Sequence, residues 1–166
     1  MAILAGIMIS IGATVYLSVG GVAGALLFAV GLMAVLAFDM RLFTGKTGLL
    51  VGRSISALQL AEIWVGNLVG CLTTACLVSY TPVFELLQVK AAAILQTRID
   101  NFWYVNIILG FLCGLLMYIA VNGYQKTKEI LYAIVPVAAF ILIGANHCVA
   151  DMFYWFAGVE YVPQVG

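Results

Sequence analysis

Five long apolar stretches, roughly 2–20, 22–51, 60–80, 102–122 and 129–158, alternate along the chain with short polar or glycine-rich breaks. A membrane span needs about 20 mostly apolar residues, so the pattern predicts five transmembrane helices. The linkers are Gly20-Gly21, Gly52-Arg53-Ser54-Ile55-Ser56, an amphipathic stretch from Thr81 to Asp100, and Gln125-Lys126-Thr127-Lys128. No basic stretch or small-residue cleavage site accompanies the opening Ala2-Ile3-Leu4-Ala5-Gly6-Ile7-Met8, so the first span reads as inserted and not as a cleaved export signal.

Two spans are not uniformly apolar. The second contains Asp39, Arg41, Lys46, Gly45 and Gly48, and the fifth contains Gly144, Asn146, His147 and Asp151. Charged or irregular backbone at membrane depth is tolerated where it faces protein or an aqueous cavity. Both helices are therefore expected to break, near Phe43–Lys46 and near Asn146–Cys148, with the two breaks facing each other. Phe43 and His147 lie 104 residues apart. At that offset the third span repeats near position 165, where this sequence stops. The expected architecture is a single all-α integral membrane domain over 1–166, an aquaporin-like inverted three-helix repeat. Its first copy covers about 2–80 and its second, incomplete copy about 101–158, without a sixth helix.

Composition supports lipid as the solvent: 65% of the 166 residues are hydrophobic and 8% charged, against about a quarter charged in soluble domains. Seven basic and seven acidic residues give no net charge and no footprint for nucleic acid. Arg53, Lys126 and Lys128 in the loops on one side, against Lys90 and Arg98 on the other, favour a cytoplasmic N-terminus. Cys71, Cys76, Cys113 and Cys148 all lie in apolar segments without metal-ligand spacing, so they read as small core residues, with no metal or cofactor expected.

Three motifs occur in order. Leu42-Phe43-Thr44-Gly45-Lys46-Thr47 resembles the loop that breaks the second helix of formate/nitrite transporters, and Gly66-Asn67-Leu68-Val69-Gly70 resembles the glycine-asparagine motif of their third. Asn146-His147-Cys148-Val149-Ala150-Asp151-Met152-Phe153 resembles their histidine motif, usually Glu-His-Ser-Val/Ile-Ala-Asn-Met-Phe. The resemblance is collinear over about 2–158. It implies a homopentameric channel with one pore per protomer for small monovalent anions and their conjugate acids: formate, nitrite, hydrosulfide or short carboxylates. It places the pore and proton-relay residues at His147 and Thr44, and the two hydrophobic constrictions at Phe28 with Leu32 and at Phe140. Arg98, usually Lys in the family, and Lys46 would attract anions, with Asn146 and Asp151 beside the histidine. The chain departs from the family at Asn146, where Glu is usual, at Asp151, where Asn is usual, and at Gly114, where many members carry a pore-facing Asn. A prokaryotic cytoplasmic (inner) membrane is the expected location.

Each of these residues also has an ordinary reading. His147, the one histidine, can be a core residue with satisfied ring nitrogens, although an ionisable group at the midplane is by default a functional candidate. Phe28, Leu32 and Phe140 can be packing or lipid-facing residues. Arg41 and Lys46 can snorkel or pair with Asp39, and Arg98 can sit in an interfacial loop with Asp100. Gly66 and Gly70 let helices approach closely, inside the protomer or between protomers. Three other functions compete. A water- or glycerol-type channel is disfavoured because prolines occur only at 82, 136 and 163, so no Asn-Pro-Ala motif exists. Catalysis by His147 and Asp151 lacks a Gly-x-Ser-x-Gly elbow or a His-Glu-x-x-His zinc motif. A non-conducting membrane subunit is the third.

Overall fold

A computed structural model describes residues 1–51 and 54–162, with the side chains of 48–51 excluded. Arg53 and Pro163 thus lie outside the described residues, as does the position near 165 at which the third span would repeat. The described chain is entirely helical: α1 (Ala2–Val19), α2 (Gly21–Ala37), α3 (Phe43–Val51), α4 (Ala57–Val78), α5 (Phe84–Asp100), α6 (Trp103–Thr127), α7 (Leu131–Leu142) and α8 (Cys148–Gly158), then a short 3-10 turn at Val159–Tyr161.

Helices α1, α4 and α6 are long and apolar enough to span a membrane alone. The others are not: α7 has 12 residues and α8 has 11, so each reaches about 17–18 Å of the roughly 30 Å hydrocarbon core. α2 and α3 likewise divide the second predicted span. Large apolar side chains such as Ile107, Phe111, Leu115 and Trp155 stand exposed around the outside, as expected of an integral membrane protein whose solvent is lipid or another subunit.

Both breaks lie a few residues earlier than expected. The first is at Phe38–Leu42, so that Phe43–Lys46 forms the first turn of α3; the second is at Ile143–His147, immediately before α8. They are built alike. Asp39 (φ 46°) and Gly144 (φ 69°) each turn the chain left-handed. The next amide then bonds back five residues, Met40 N–H to Val35 C=O at 2.9 Å and Ala145 N–H to Phe140 C=O at 2.9 Å. This closure satisfies carbonyls that the ending helix would otherwise leave unpaired. It also places the matching positions 105 residues apart, one more than the motif spacing.

The Thr81–Asp100 linker differs most from expectation. From Phe84 onward it is α5, packed on α8 and α1, because Leu87, Ala91 and Leu95 fall on one buried face at four-residue spacing. Packing there is close: a Cβ added to Gly158 would lie 2.6 Å from the Ala92 nitrogen. Lys90 and Arg98 are therefore not loop residues. The Lys90 ammonium caps α1 by donating to Leu17 C=O at 2.6 Å. Gly66 and Gly70 pack inside the protomer, against Ala2, Ile3 and Gly6 of α1.

Candidate functional site

His147 is the N-cap of α8. Its Nδ1 accepts the Ala150 N–H at 3.1 Å, so the neutral ring carries its proton on Nε2. That Nε2–H points to the Thr44 hydroxyl oxygen at 3.1 Å. Thr44 lies on the first turn of α3, so this one hydrogen bond joins the half-helices that follow the two breaks. A proton added at Nδ1 would confront the Ala150 N–H, which makes proton gain by the ring and capping of α8 mutually exclusive.

The ring is sealed by apolar side chains. Phe140 stacks on His147 with centroids 5.2 Å apart, and Phe28 meets Phe140 edge-on at 5.8 Å. Phe28, Leu32, Phe140 and His147 are all at most 2% exposed. Phe28 and Phe140, expected on opposite sides, thus share one aromatic contact.

Two cavities adjoin the partners of the Thr44–His147 hydrogen bond, one beside each residue. One, of about 190 Å³, is lined by His147, Phe140, Arg98, Tyr16 and Tyr154 among others. The second, of about 520 Å³, is lined by Thr44, Lys46, Gly114, Tyr118, Asn122 and Gln125 among others. The two expected cations are thus divided between the two cavities. Gly114 adds no side chain to the second wall, and a Cβ built there would meet nothing within 4 Å among the described residues.

Arg98 does not pair with Asp100, which accepts from Gln96 instead. Its Nε donates to Asp151 at 2.8 Å, the one ion pair among the described residues. Nη1 donates to the Asn146 side-chain oxygen and to Gly144 C=O at 3.4 Å, and Nη2 donates to Ala145 C=O at 3.3 Å. The α5 terminus is thereby pinned to the second break. Asp39 forms no ion pair with Arg41 or Lys46.

Asn67 and Asn106 are the residues whose roles the motifs did not assign. Asn67, fully buried, accepts the Phe43 N–H at 2.8 Å and donates to Ala2 C=O at 2.8 Å and Arg41 C=O at 3.0 Å. It caps α3 and ties the first break to α1. Asn106 accepts from the Asn146 side chain at 3.1 Å and donates to Arg98 C=O at 2.8 Å. An Asn inside an apolar span was the available signal for each, since a buried amide must find partners.

Half-helices capped at a buried polar contact, flanked by cavities inside an apolar helical bundle, define a channel-like integral membrane protein. The formate/nitrite transporter family pattern matches residues 1–164, and the chain belongs to that family, whose members are transporters and not enzymes. It is 30% identical to the formate channel FocA of Haemophilus influenzae, covering 86% of this chain and 58% of that protein. It is 32% identical to the uncharacterized transporter YrhG of Bacillus subtilis, covering 82% and 57%. The chain thus spans a little over half the length of these relatives. A solved pentameric formate channel with formate bound shares the fold, with a TM-score of 0.79 at 23% identity over 96% of this chain and 73% of that one.

Proposed function

We propose that this chain forms the conducting part of a channel for small monovalent anions and their conjugate weak acids, formate first among them. The observation that carries the reading is the Thr44–His147 hydrogen bond between the two broken helices, with a cavity adjoining each partner. A bare anion crossing the Phe28, Leu32 and Phe140 layer would lose hydration at a cost of order tens of kcal/mol before relaxation. The conjugate acid crosses neutral. Arg98 and Lys46 concentrate the anion in the cavities on the two sides, and the proton joins it before the apolar layer.

His147 serves as a hydrogen-bond donor through Nε2 and exchanges a proton only by releasing the α8 cap. Thr44 is its adaptable partner, because its own hydroxyl proton has no protein acceptor among the described residues. Nitrite, hydrosulfide and short carboxylates fit the same chemistry. The matching break closures, together with the half-helix pairs, support an inverted repeat of about 2–80 on about 101–158. The exposed apolar faces and the likeness to a pentameric channel support a homopentamer in a prokaryotic inner membrane.

Formate uptake into proteoliposomes tests the reading. The parent chain is expected to pass formate faster at acidic than at alkaline external pH. His147→Phe should abolish this uptake without dissociating the assembly, whereas His147→Asn, which keeps a donor, should retain part of it. Equal uptake by parent and His147→Phe liposomes would refute the pore assignment.

A further inference from the structure

We propose that Asp151 sets the charge that the cavity beside His147 presents to an anion, and is thus a specificity-determining positioning residue acting through Arg98. The inference rests on the transport reading above. Arg98 lines that cavity together with Gly144, Ala145 and His147, whereas neither Asp151 nor Asn146 does. The carboxylate therefore stands behind the guanidinium as seen from the ligand.

A guanidinium has five N–H donors. Nε is engaged by Asp151, Nη1 by Asn146 and Gly144, and one Nη2–H by Ala145, which leaves a single Nη2–H for the cavity. Arg98 so offers a ligand one hydrogen bond from a cation whose charge is already matched. The pair is screened by its surroundings only in part, with side chains 18% and 22% exposed, so its charges act over the few ångströms that separate them from the cavity. Asp151 also occupies the first turn of α8, where the helix N-terminus favours a negative group.

Conduction requires a site strong enough to admit an ion and weak enough to release it. An unmatched arginine in a cavity of about 190 Å³ would retain a small carboxylate or similar oxyanion; the matched one admits and releases it. Asn146 touches the other side of the same guanidinium. A carboxylate moved there should do the same work as one at position 151.

The test uses the full chain in proteoliposomes and sodium formate over a concentration series. Asp151→Asn is expected to lower the half-saturating concentration about tenfold, and to lower maximal flux, by exposing the full Arg98 charge. Asn146→Asp should raise the half-saturating concentration by a similar factor, and the double variant should return it to within about twofold of the parent. Unchanged half-saturation in both single variants, or shifts in the same direction, would overturn the assignment. If Asp151→Asn fails to fold, the direction of the Asn146→Asp shift decides. A parent that passes no formate would defeat the transport reading. The same order of formate affinities, measured by calorimetry on the detergent-purified chain, then upholds or overturns the role of Asp151.

Discussion

Helices α1 and α6 open the two halves of the molecule, yet among the described residues α1 is packed on more of its faces than α6. At the 104-residue offset, the buried row Ile9, Ala13 and Leu17 of α1 falls on the buried row Cys113, Met117 and Val121 of α6. The rows correspond because α2 covers the first and α7 the second. On the adjoining face the likeness ends. Gly6 and Ser10 are buried, and Gly6 lies in backbone contact with Asn67 of α4. Among the described residues, their counterparts Gly110 and Gly114 meet nothing within 4 Å of an added Cβ. On this face a small residue is thus a packing device in α1 and open wall in α6, and only the neighbouring helix distinguishes the two.

The largest expected effect breaks this comparison directly. Gly70→Leu would drive a side chain into the Ile3 carbonyl and Gly6 of α1. Overpacking typically costs about 1–3 kcal/mol and rises where backbone must move, so this variant should lose its monodisperse peak in detergent. Gly114→Leu should change the thermal midpoint little, within the roughly 0.5 kcal/mol usual for substitutions at open positions. Comparable damage from both would show that the α6 face is covered.

Next in size is the capping of the half-helices. In the first half another helix supplies the cap, Asn67 to the Phe43 N–H; in the second, His147 caps its own helix. Asn67→Leu removes three hydrogen bonds to part-buried backbone groups of α1, the break and α3. At about 0.5–1.5 kcal/mol net for each bond, a loss of about 3 kcal/mol is expected in reversible denaturation. In His147→Ala, loss of the cap accounts for about 1 kcal/mol and emptying the site of the buried ring adds to it, while the Thr44 contact and with it formate flux are removed. A denaturation series on the two variants reads the difference.

These contrasts explain what was legible in the sequence. Apolar length and charges at membrane depth located both broken spans, because lipid leaves few places for Asp39 or His147 to sit. Break positions were missed by a few residues: the motif residues Phe43–Lys46 begin a helix, while the chain reversal is made by the ordinary-looking Asp39. The α5 helix was hidden because Glu85, Lys90, Arg98 and Asp100 mask its narrow row of Leu87, Ala91 and Leu95. The partnership of Arg98 with Asp151, 53 residues apart in sequence, carries no spacing signal, since it depends on α5 folding back onto α8.

The smallest effect compares the left-handed residues themselves. Asp39 and Gly144 hold the same place in the two closures, at φ 46° and 69°, but only glycine takes that conformation without a Cβ penalty. The penalty is about 1–2 kcal/mol for most residues and less for Asp, whose short side chain tolerates it. Asp39→Gly should therefore raise the unfolding free energy by at most about 1 kcal/mol, offset by the added freedom of the unfolded chain. Gly144→Asp should lower it by about the same amount, and Gly144→Val by more, because a β-branched side chain fits this region worst. An added Cβ at Gly144 meets no neighbour within 4 Å among the described residues, so the cost of Gly144→Val is one of backbone conformation, whereas the carboxylate of Gly144→Asp also stands near Arg98. Midpoints that order as Asp39→Gly, parent, Gly144→Asp and Gly144→Val would establish that both breaks are held by the same left-handed turn; a Gly144→Val protein as stable as the parent would show that the second closure does not depend on it.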